Sequence, residues 1–600
     1  MERQLLSGNE SIALGAAHAG LRFAAAYPGT PSTEILEAIA RLPGIYSEWS
    51  SNEAVAVEAA SGASYTGVRA LACMKHVGLN VAADAFMAAA TTGVRGGLVI
   101  VSADDPGIHS SQNEQDSRHY ARLGKAPCLE PSDSQEAYDF TRIAFQISEE
   151  FDTPVLVRPT TRVCHSKSIV APSEKNILAR HPEFCHEPGK LVMLPTAARG
   201  RWQNVLERLE KLAAFSETSP LNRIIWGSPE IGIIANGISY QYALEVFPDA
   251  SFLKLGLTYP LPENLLREFS RRVKQLIVIE ELQGFLELEI KALGIPLTGK
   301  DIFPKTGEFS PDIIRDSAAK AGLIKGITPK SLPISGLTKR PPLLCPGCPH
   351  SGVFFTLSSM GHRSVLPGKT PRHPKLTICG DIGCYTLGAY PPLGAIDTCG
   401  CMGAGISQAA GMAHAGVTEK PLAVIGDSTF MHSGINSLIN AVYNKANICV
   451  IILDNGTTAM TGHQGHPGSG TSATGQPVGR VIIEDLVRGA GVKSVAIIEA
   501  FDLKAIRGSL KQALVSDKLE VLIIRGDCPT LTRKKAKPVG LSAEKCDDCG
   551  VCLLIGCSAI TKGEDGRITI DSGVCLGENC TLCLQLCPRG AISTDIEVSL

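Results

Sequence analysis

Short apolar runs, each closed by Gly, Pro, Asp or Asn, alternate along this chain with Ala- and Leu-rich stretches at helical spacing. Residues 9–24 predict the first helix. The string AAAYPGTPST (residues 24–33) predicts a strand end and a Gly/Pro turn, with Ser32 and Thr33 placed to cap a helix over residues 34–41. Residues 46–52 read as a short polar strand or loop. Glu53 then opens an Ala-rich helix over residues 54–65. LACMKHVGLNVAADAF (residues 71–86) and GGLVIVSADDPGIHSSQNEQD (residues 96–116) continue the alternation. This is the pattern of a doubly wound parallel α/β sheet, assigned to residues 1–180. A linker over residues 187–220 carries one amphipathic helix (residues 198–215). A second α/β unit follows over residues 190–335, with strands in residues 231–246, 252–270 and 275–290.

The third α/β unit, residues 340–530, holds the most informative stretch. LAVIGDST (residues 422–429) is an apolar run ending at Ile425, followed by the turn Gly426-Asp427-Ser428. The next run ends at Asp454-Asn455-Gly456, and a helix is expected between them over residues 433–443. A strand–helix–strand unit places Asp427 and Asn455, 28 residues apart, on one edge of a parallel sheet, where open α/β folds bind ligands. A carboxylate, a carboxamide and the Thr457 carbonyl suit a hard cation such as Mg²⁺, which in turn holds a diphosphate. The same residues also read as a strand turn and a helix cap. GHQGHPGSGTSATGQP (residues 462–477) has the composition of a mobile loop that covers such a site, and His432, His463 and His466 flank it. Residues 481–525 return to the β/α pattern.

Composition narrows the class. A chain of 600 residues with 44% apolar content implies about three to five domains with real cores. The net charge is −2. The longest basic run, Arg533-Lys534-Lys535, reads as a solvated linker, so nucleic acid is not an expected partner. No apolar run approaches a membrane span, and residues 1–10 lack a signal-peptide pattern, so a soluble cytoplasmic protein is expected. Twenty cysteines in such a protein argue for metal or redox sites over disulfides.

Eight of those cysteines lie in the last 55 residues. Cys546, Cys549, Cys552 and Cys557 form one run, and Cys575, Cys580, Cys583 and Cys587-Pro588 form a second, in a tail assigned to residues 535–600. The paired runs fit two [4Fe–4S] clusters, with a zinc-binding tail as the alternative. Upstream, CPGCPH (residues 345–350) is weak alone: a redox pair, a zinc half-site or a cluster half-site. Thiolates suit iron–sulfur and zinc equally. Cys379, Cys399 and Cys401 have no assigned role.

Together these motifs are identified with one family. YPGTPST, NEAVAVEAASGAS (residues 52–64), GDST with its distant DN, and the four-cysteine sets resemble the 2-oxoacid:ferredoxin oxidoreductases over nearly the whole chain. The GD-x…N spacing resembles the thiamine diphosphate motif, from which Ser428 departs by replacing a Gly. The resemblance implies two thiamine-binding sheets, for pyrimidine and for diphosphate. It makes residues 190–335 a transketolase C-terminal-like domain and the tail a two-cluster ferredoxin-like domain. It implies that Glu53 contacts the aminopyrimidine N1′ and so helps deprotonate the thiazolium; as a plain helix-start Glu it would simply suit the dipole. Glu58 is the decoy. Thr30 matches a substrate-carboxylate contact or is a turn residue, and Lys75 and His76 face the site or mark a strand end. Met402 matches the wedge under the bent cofactor or is a core Met. Gly426, Asp427, Ser428, Asn455 and Thr457 match the diphosphate and metal contacts.

Family ligation implies one cluster on Cys546, Cys549, Cys552 and Cys587, another on Cys575, Cys580, Cys583 and Cys557, and a proximal one on Cys345, Cys348, Cys384 and Cys528. The x4 gaps, and the absence of Pro after Cys557, depart from the ferredoxin pattern. The expected reaction is oxidative decarboxylation of aryl pyruvates such as indolepyruvate, with coenzyme A and ferredoxin. Expected too is a smaller β subunit carrying the γ-type domain in an α2β2 assembly, with the thiamine site formed within one chain or between two. A relative acting on another 2-oxoacid, and a non-catalytic electron-transfer subunit, are the alternatives.

Overall fold

The computed structural model describes residues 2–173, 182–325, 342–361, 376–532 and 536–595, so the basic run at 533–535 lies outside the described residues. Residues 1–333 with 473–476 form one compact unit, and residues 334–472 with 477–600 form the other. Among the described residues no helix is long and apolar enough to cross a membrane.

The first unit is built on a seven-stranded sheet in which Arg69–Lys75 is an interior strand. Leu71 and Cys73 point into one apolar cluster with Ile12, Ile35 and Phe140; Ala70, Ala72 and Met74 point into another with Val57, Leu79 and Phe86. Both faces are covered, so the strand is apolar at successive positions. Its neighbours Leu21–Ala26 and Leu98–Ala103 run parallel to it. Residues 9–24 are not one helix. The helix spans Gly8–His18, Gly20 adopts φ +78°, and Leu21–Ala26 turns into the sheet. Small apolar residues fit either element, and burial on both sides decided for the strand.

A four-stranded sheet completes this unit, in the order Gln275–Ile279, Ser228–Asn236, Ala250–Leu255, Arg223–Ile225. Residues 252–270 are split between sheets: Leu257–Tyr259 leaves for the seven-stranded sheet, where it pairs antiparallel with Cys128–Leu129. A buried ionic network joins the two sheets. Arg118, with no exposed surface, holds Asp116 at 2.6 Å and Glu280 at 2.7 Å, while Arg158 holds Asp104 and Glu130. Each charge is paired, as burial demands. The helix Pro195–Thr218 buries Val205 and Leu212 and packs on this unit beyond a linker's role.

The second unit carries a six-stranded sheet, all parallel, in the order Thr398–Cys399, Ile378–Gly380, Leu422–Gly426, Cys449–Asp454, Glu520–Arg525, Ser494–Glu499. The tail adds two antiparallel pairs, Gly540–Leu541 with Ile592–Ser593 and Ile560–Lys562 with Ile568–Ile570. Its Val539, Ile555, Ile560 and Leu582 share one apolar cluster with Leu344, Phe354 and Leu503.

Candidate functional site

In the second unit the two central strands are paired in register, Gly426 beside Leu453, so Asp427 and Asn455 emerge side by side at their C-terminal ends. Asp427 is buried. Its Oδ1 accepts the Ser428 N–H and its Oδ2 the Gly456 N–H, each at 2.8 Å. His466 Nε2 lies 3.2 Å from the same Oδ2. Burial pushes the Asp427 carboxyl up, but His466 and the two backbone N–H groups outweigh it and hold the group below the usual carboxylate range. The Asn455 carboxamide is oriented at both ends: Oδ1 accepts the Thr457 N–H at 3.2 Å, and Nδ2 approaches His350 Nε2 at 3.5 Å. Burial pushes His350 down to about 4, so its neutral ring can accept from the amide. Thr457 is buried, and Ser428 Oγ accepts the Thr458 hydroxyl at 2.9 Å.

The sequence reading misplaced the helix start here. Helical backbone begins at Asp427–Thr429, passes through a wider π-turn at Phe430–Gly434 and continues as Ile435–Tyr443. His432 therefore lies inside the helix, with Nδ1 2.9 Å from Ser433 Oγ. Ser433 Oγ in turn donates to the Met402 carbonyl at 2.7 Å, holding Met402 half-buried at this edge. Asp381 was missed. It ends the strand Ile378–Gly380 and accepts the N–H groups of Gly403 and Gly405 at 3.0 and 3.1 Å. Burial, against these backbone donors, pushes it up to about 6. The signal was available: Gly380-Asp381 repeats Gly426-Asp427 at the end of a neighbouring strand.

The structure brings the cysteines together in three sets. Cys384 is pushed up to about 11 by burial and by Cys528 and Cys345, and Cys348 is raised by burial and by Cys384, Cys345 and Cys528. In the tail, Cys546, Cys549, Cys552 and Cys587 line one cavity, and Cys557, Cys575, Cys580 and Cys583 line another. Burial and neighbouring thiols push Cys552 and Cys580 to about 11 and Cys583 to about 12. Such sets resist ionisation unless a cation compensates them. Among the described residues, no three His, Cys, Asp or Glu side chains converge tightly enough to hold a single ion. A four-iron cube is ligated at its corners and needs sulfurs set wider than the tetrahedron around one zinc. The spare cysteines lie apart from these sets: Cys379 contacts Met412 Sδ, Cys399 donates to the Asp381 carbonyl and Cys401 is exposed.

In the first unit, Glu53 opens the helix Glu53–Tyr65, whose N-terminus is capped by Asn52 accepting from Val55 N–H. Glu53 is 5% exposed, whereas Glu58 faces solvent. Gly78 makes room for Glu53: a Cβ there would sit 2.6 Å from Oε1. Lys75 ends its strand on the same side and donates to the Ser110 carbonyl at 2.7 Å, and the Ser110 hydroxyl donates to the Thr30 carbonyl at 3.2 Å. Burial lowers the Lys75 ammonium against the opposing pull of Asp105 and Glu53. Buried His76 contacts the Asn113 carbonyl. Ser32 is no cap: its hydroxyl donates to the Gly29 carbonyl while Thr33 Oγ1 accepts the Gly29 N–H, so both stitch the turn before the helix.

Two family models match. Residues 381–524 match the C-terminal TPP-binding domain of thiamine pyrophosphate enzymes, and residues 14–201 match the thiamine diphosphate-binding part of pyruvate flavodoxin/ferredoxin oxidoreductase. The chain is 40% identical to the indolepyruvate oxidoreductase subunit IorA of Methanothermobacter marburgensis, over 99% of this chain and 98% of that one. It is 40% identical to the subunit of the same name from Archaeoglobus fulgidus, over 98% and 97%. A solved 2-oxoglutarate:ferredoxin oxidoreductase from Magnetococcus marinus aligns at 18% identity with a TM-score of 0.44, over 53% of this chain and 65% of that one.

Proposed function

We infer what this chain does from the premise that it belongs to the indolepyruvate oxidoreductase subunit IorA family, within the 2-oxoacid:ferredoxin oxidoreductases. It is a thiamine-dependent 2-oxoacid oxidoreductase. The finer reading is oxidative decarboxylation of aryl pyruvates, indolepyruvate among them, with coenzyme A taking the acyl group and ferredoxin the electrons. The observation that carries it is the gathering of Cys345, Cys348, Cys384 and Cys528 in the unit that bears Asp427 and Asn455. A decarboxylase that returns a proton to its product needs no such thiols.

When bound, thiamine diphosphate supplies the electron sink for decarboxylation, and [4Fe–4S] clusters carry single electrons onward. Asp427, Asn455 and the Thr457 carbonyl are the hard oxygen donors for Mg²⁺ and, through it, the diphosphate. His466 and His350 orient the first two. Gly426 keeps the strand end open: a Cβ there would sit 2.5 Å from the Tyr385 ring. Met402 would offer its apolar side chain to the cofactor. Glu53 would meet the pyrimidine N1′ from its buried position at the helix start. The Thr30 hydroxyl and the Lys75 ammonium receive the substrate carboxylate. These roles are filled within one chain or across two copies.

Pro346 and Gly347 wall the cavity of the Cys557, Cys575, Cys580 and Cys583 set, and a backbone hydrogen bond from Gly347 reaches Cys557. Clusters held by these sets would supply a single-electron route, with the Cys557, Cys575, Cys580 and Cys583 set beside the turn that carries Cys345 and Cys348. A smaller β subunit in an α2β2 assembly completes the enzyme.

Cofactor analysis tests this reading: purified, anaerobically reconstituted enzyme is expected to hold thiamine and about twelve irons per chain, and about eight would remove the proximal cluster. Substrate specificity is tested with a viologen dye as acceptor. Rates on pyruvate or 2-oxoglutarate equal to those on indolepyruvate would end the aryl assignment. Glu53→Gln is expected to abolish turnover, and full activity would displace Glu53 from its role.

A further inference from the structure

One hydroxyl connects the loop after Asn455 to the proximal thiol set. Thr530 Oγ1 lies 3.2 Å from Cys528 Sγ and 3.1 Å from His463 Nε2. His463 is mounted on the loop that begins at Asn455: Thr458 N–H donates to the Gln464 carbonyl at 3.0 Å, and His463 N–H to the Thr458 carbonyl at 3.1 Å. The loop forces His463 to φ +69°, in the left-handed region that a β-carbon disfavours. Such a conformation persists where surrounding contacts fix it.

The hydrogen positions follow from chemistry. A cysteine sulfur ligating iron is only an acceptor, so the Thr530 hydroxyl must donate to it. The hydroxyl oxygen is then free to accept, and His463 must present Nε2–H to it. That tautomer leaves Nδ1 as a bare lone pair. Nδ1 is indeed buried without a hydrogen-bond partner, a state tolerated better by an acceptor than by an N–H donor.

We propose that Thr530 is a positioning residue that hydrogen-bonds the Cys528 sulfur and raises the reduction potential of the proximal cluster, with His463 setting the direction of its hydroxyl. The inference rests on the proximal-cluster reading above. Hydrogen bonds to cluster sulfurs favour the reduced, more negative state. Through His463 the loop after Asn455 and the electron acceptor are joined by two hydrogen bonds.

The test is an EPR-monitored redox titration of the reconstituted full-length enzyme, with iron counted in parallel. Thr530→Val keeps the shape and removes the donor. Its proximal cluster is expected to become about tenfold harder to reduce, about 59 mV for one electron, at unchanged iron content. Thr530→Ser is expected to restore the wild-type potential. His463→Phe is expected to shift it in the same direction as Thr530→Val. A wild-type potential in Thr530→Val at full iron content overturns the proposal and leaves the cluster reading standing. Should Thr530→Val fail to load iron, His463→Phe, which lies outside the ligand segment, decides by the same criterion. Only two clusters in the wild-type enzyme would overturn the cluster reading and this inference together.

Discussion

Asp427 Oδ2 accepts the backbone N–H of Gly456 at 2.8 Å, so the carboxylate at one strand end fixes the loop at the next. Ligand and loop are therefore separable by mutation. Asp427→Asn keeps an acceptor for Gly456 and loses the charge. Thiamine retained after desalting, followed by fluorescence, is expected to fall about 100-fold or more in Mg²⁺ affinity, with little change in melting temperature. Asp427→Ala also strands the Gly456 and Ser428 N–H groups, at a cost of about 1–3 kcal/mol each where they stay dry.

His466 acts through Asp427. His466→Phe removes the partner 3.2 Å from Oδ2. Metal affinity measured by Mg²⁺ titration of thiamine binding is expected to weaken about 10–100-fold, as for other orienting partners of a metal ligand. An unchanged titration would make the contact incidental.

Gly78→Ala tests the setting of Glu53 without touching the carboxyl. The added Cβ would lie 2.6 Å from Glu53 Oε1 and 2.8 Å from its Cγ. The side chain must swing away, and overpacking costs about 1–3 kcal/mol. Steady-state assays should show a fall in kcat larger than the change in KM, with thiamine still bound. Normal kcat would show that Glu53 tolerates displacement.

Glu281 makes stability pH-dependent in the first unit. Burial pushes its carboxyl up to about 7, against the Phe309 N–H and Arg158, which favour the anion. A raised carboxyl pKa means that the folded chain keeps a proton the unfolded chain has lost. Stability from this group is therefore full below about 4.5 and declines as pH rises towards 7. Glu281→Gln still offers an acceptor to Phe309. Denaturant titrations from pH 5 to pH 8 should show the variant gaining on the wild type by up to about 3 kcal/mol. A constant difference would place the Glu281 pKa near its ordinary value.

What the sequence made legible was local. Asp427 and Asn455 follow from two apolar runs and a spacing, because adjacent parallel strands put consecutive strand ends together. The two tail cysteine runs show in the sequence, and their assignment to quartets came from the family resemblance; Cys546, Cys549, Cys552 and Cys587 line one cavity and Cys557, Cys575, Cys580 and Cys583 another. What stayed hidden depended on distant partners. Nothing in residues 252–270 shows that Leu257–Tyr259 belongs beside Cys128–Leu129, since that pairing joins residues far apart in the chain. The helix start at Asp427 was obscured by reading Gly426-Asp427-Ser428 as a turn, whereas helical backbone begins at Asp427 and passes through a π-turn at Phe430–Gly434. His350, His463 and Thr530 gain meaning only from what they touch. Asp381 alone was recoverable, from its repeat of the Gly-Asp strand end.

The tail's Val539, Ile555, Ile560 and Leu582 lie in the same apolar cluster as Leu344, Phe354 and Leu503. The last segment is therefore no interchangeable cartridge. Severed near residue 535, it would lose the packing it shares with Leu344, Phe354 and Leu503 and bare one flank of the six-stranded sheet. Recombination that swaps this segment for another must rebuild that flank at the same time. The tail and the sheet unit it packs on can be inherited, or engineered, only as one piece.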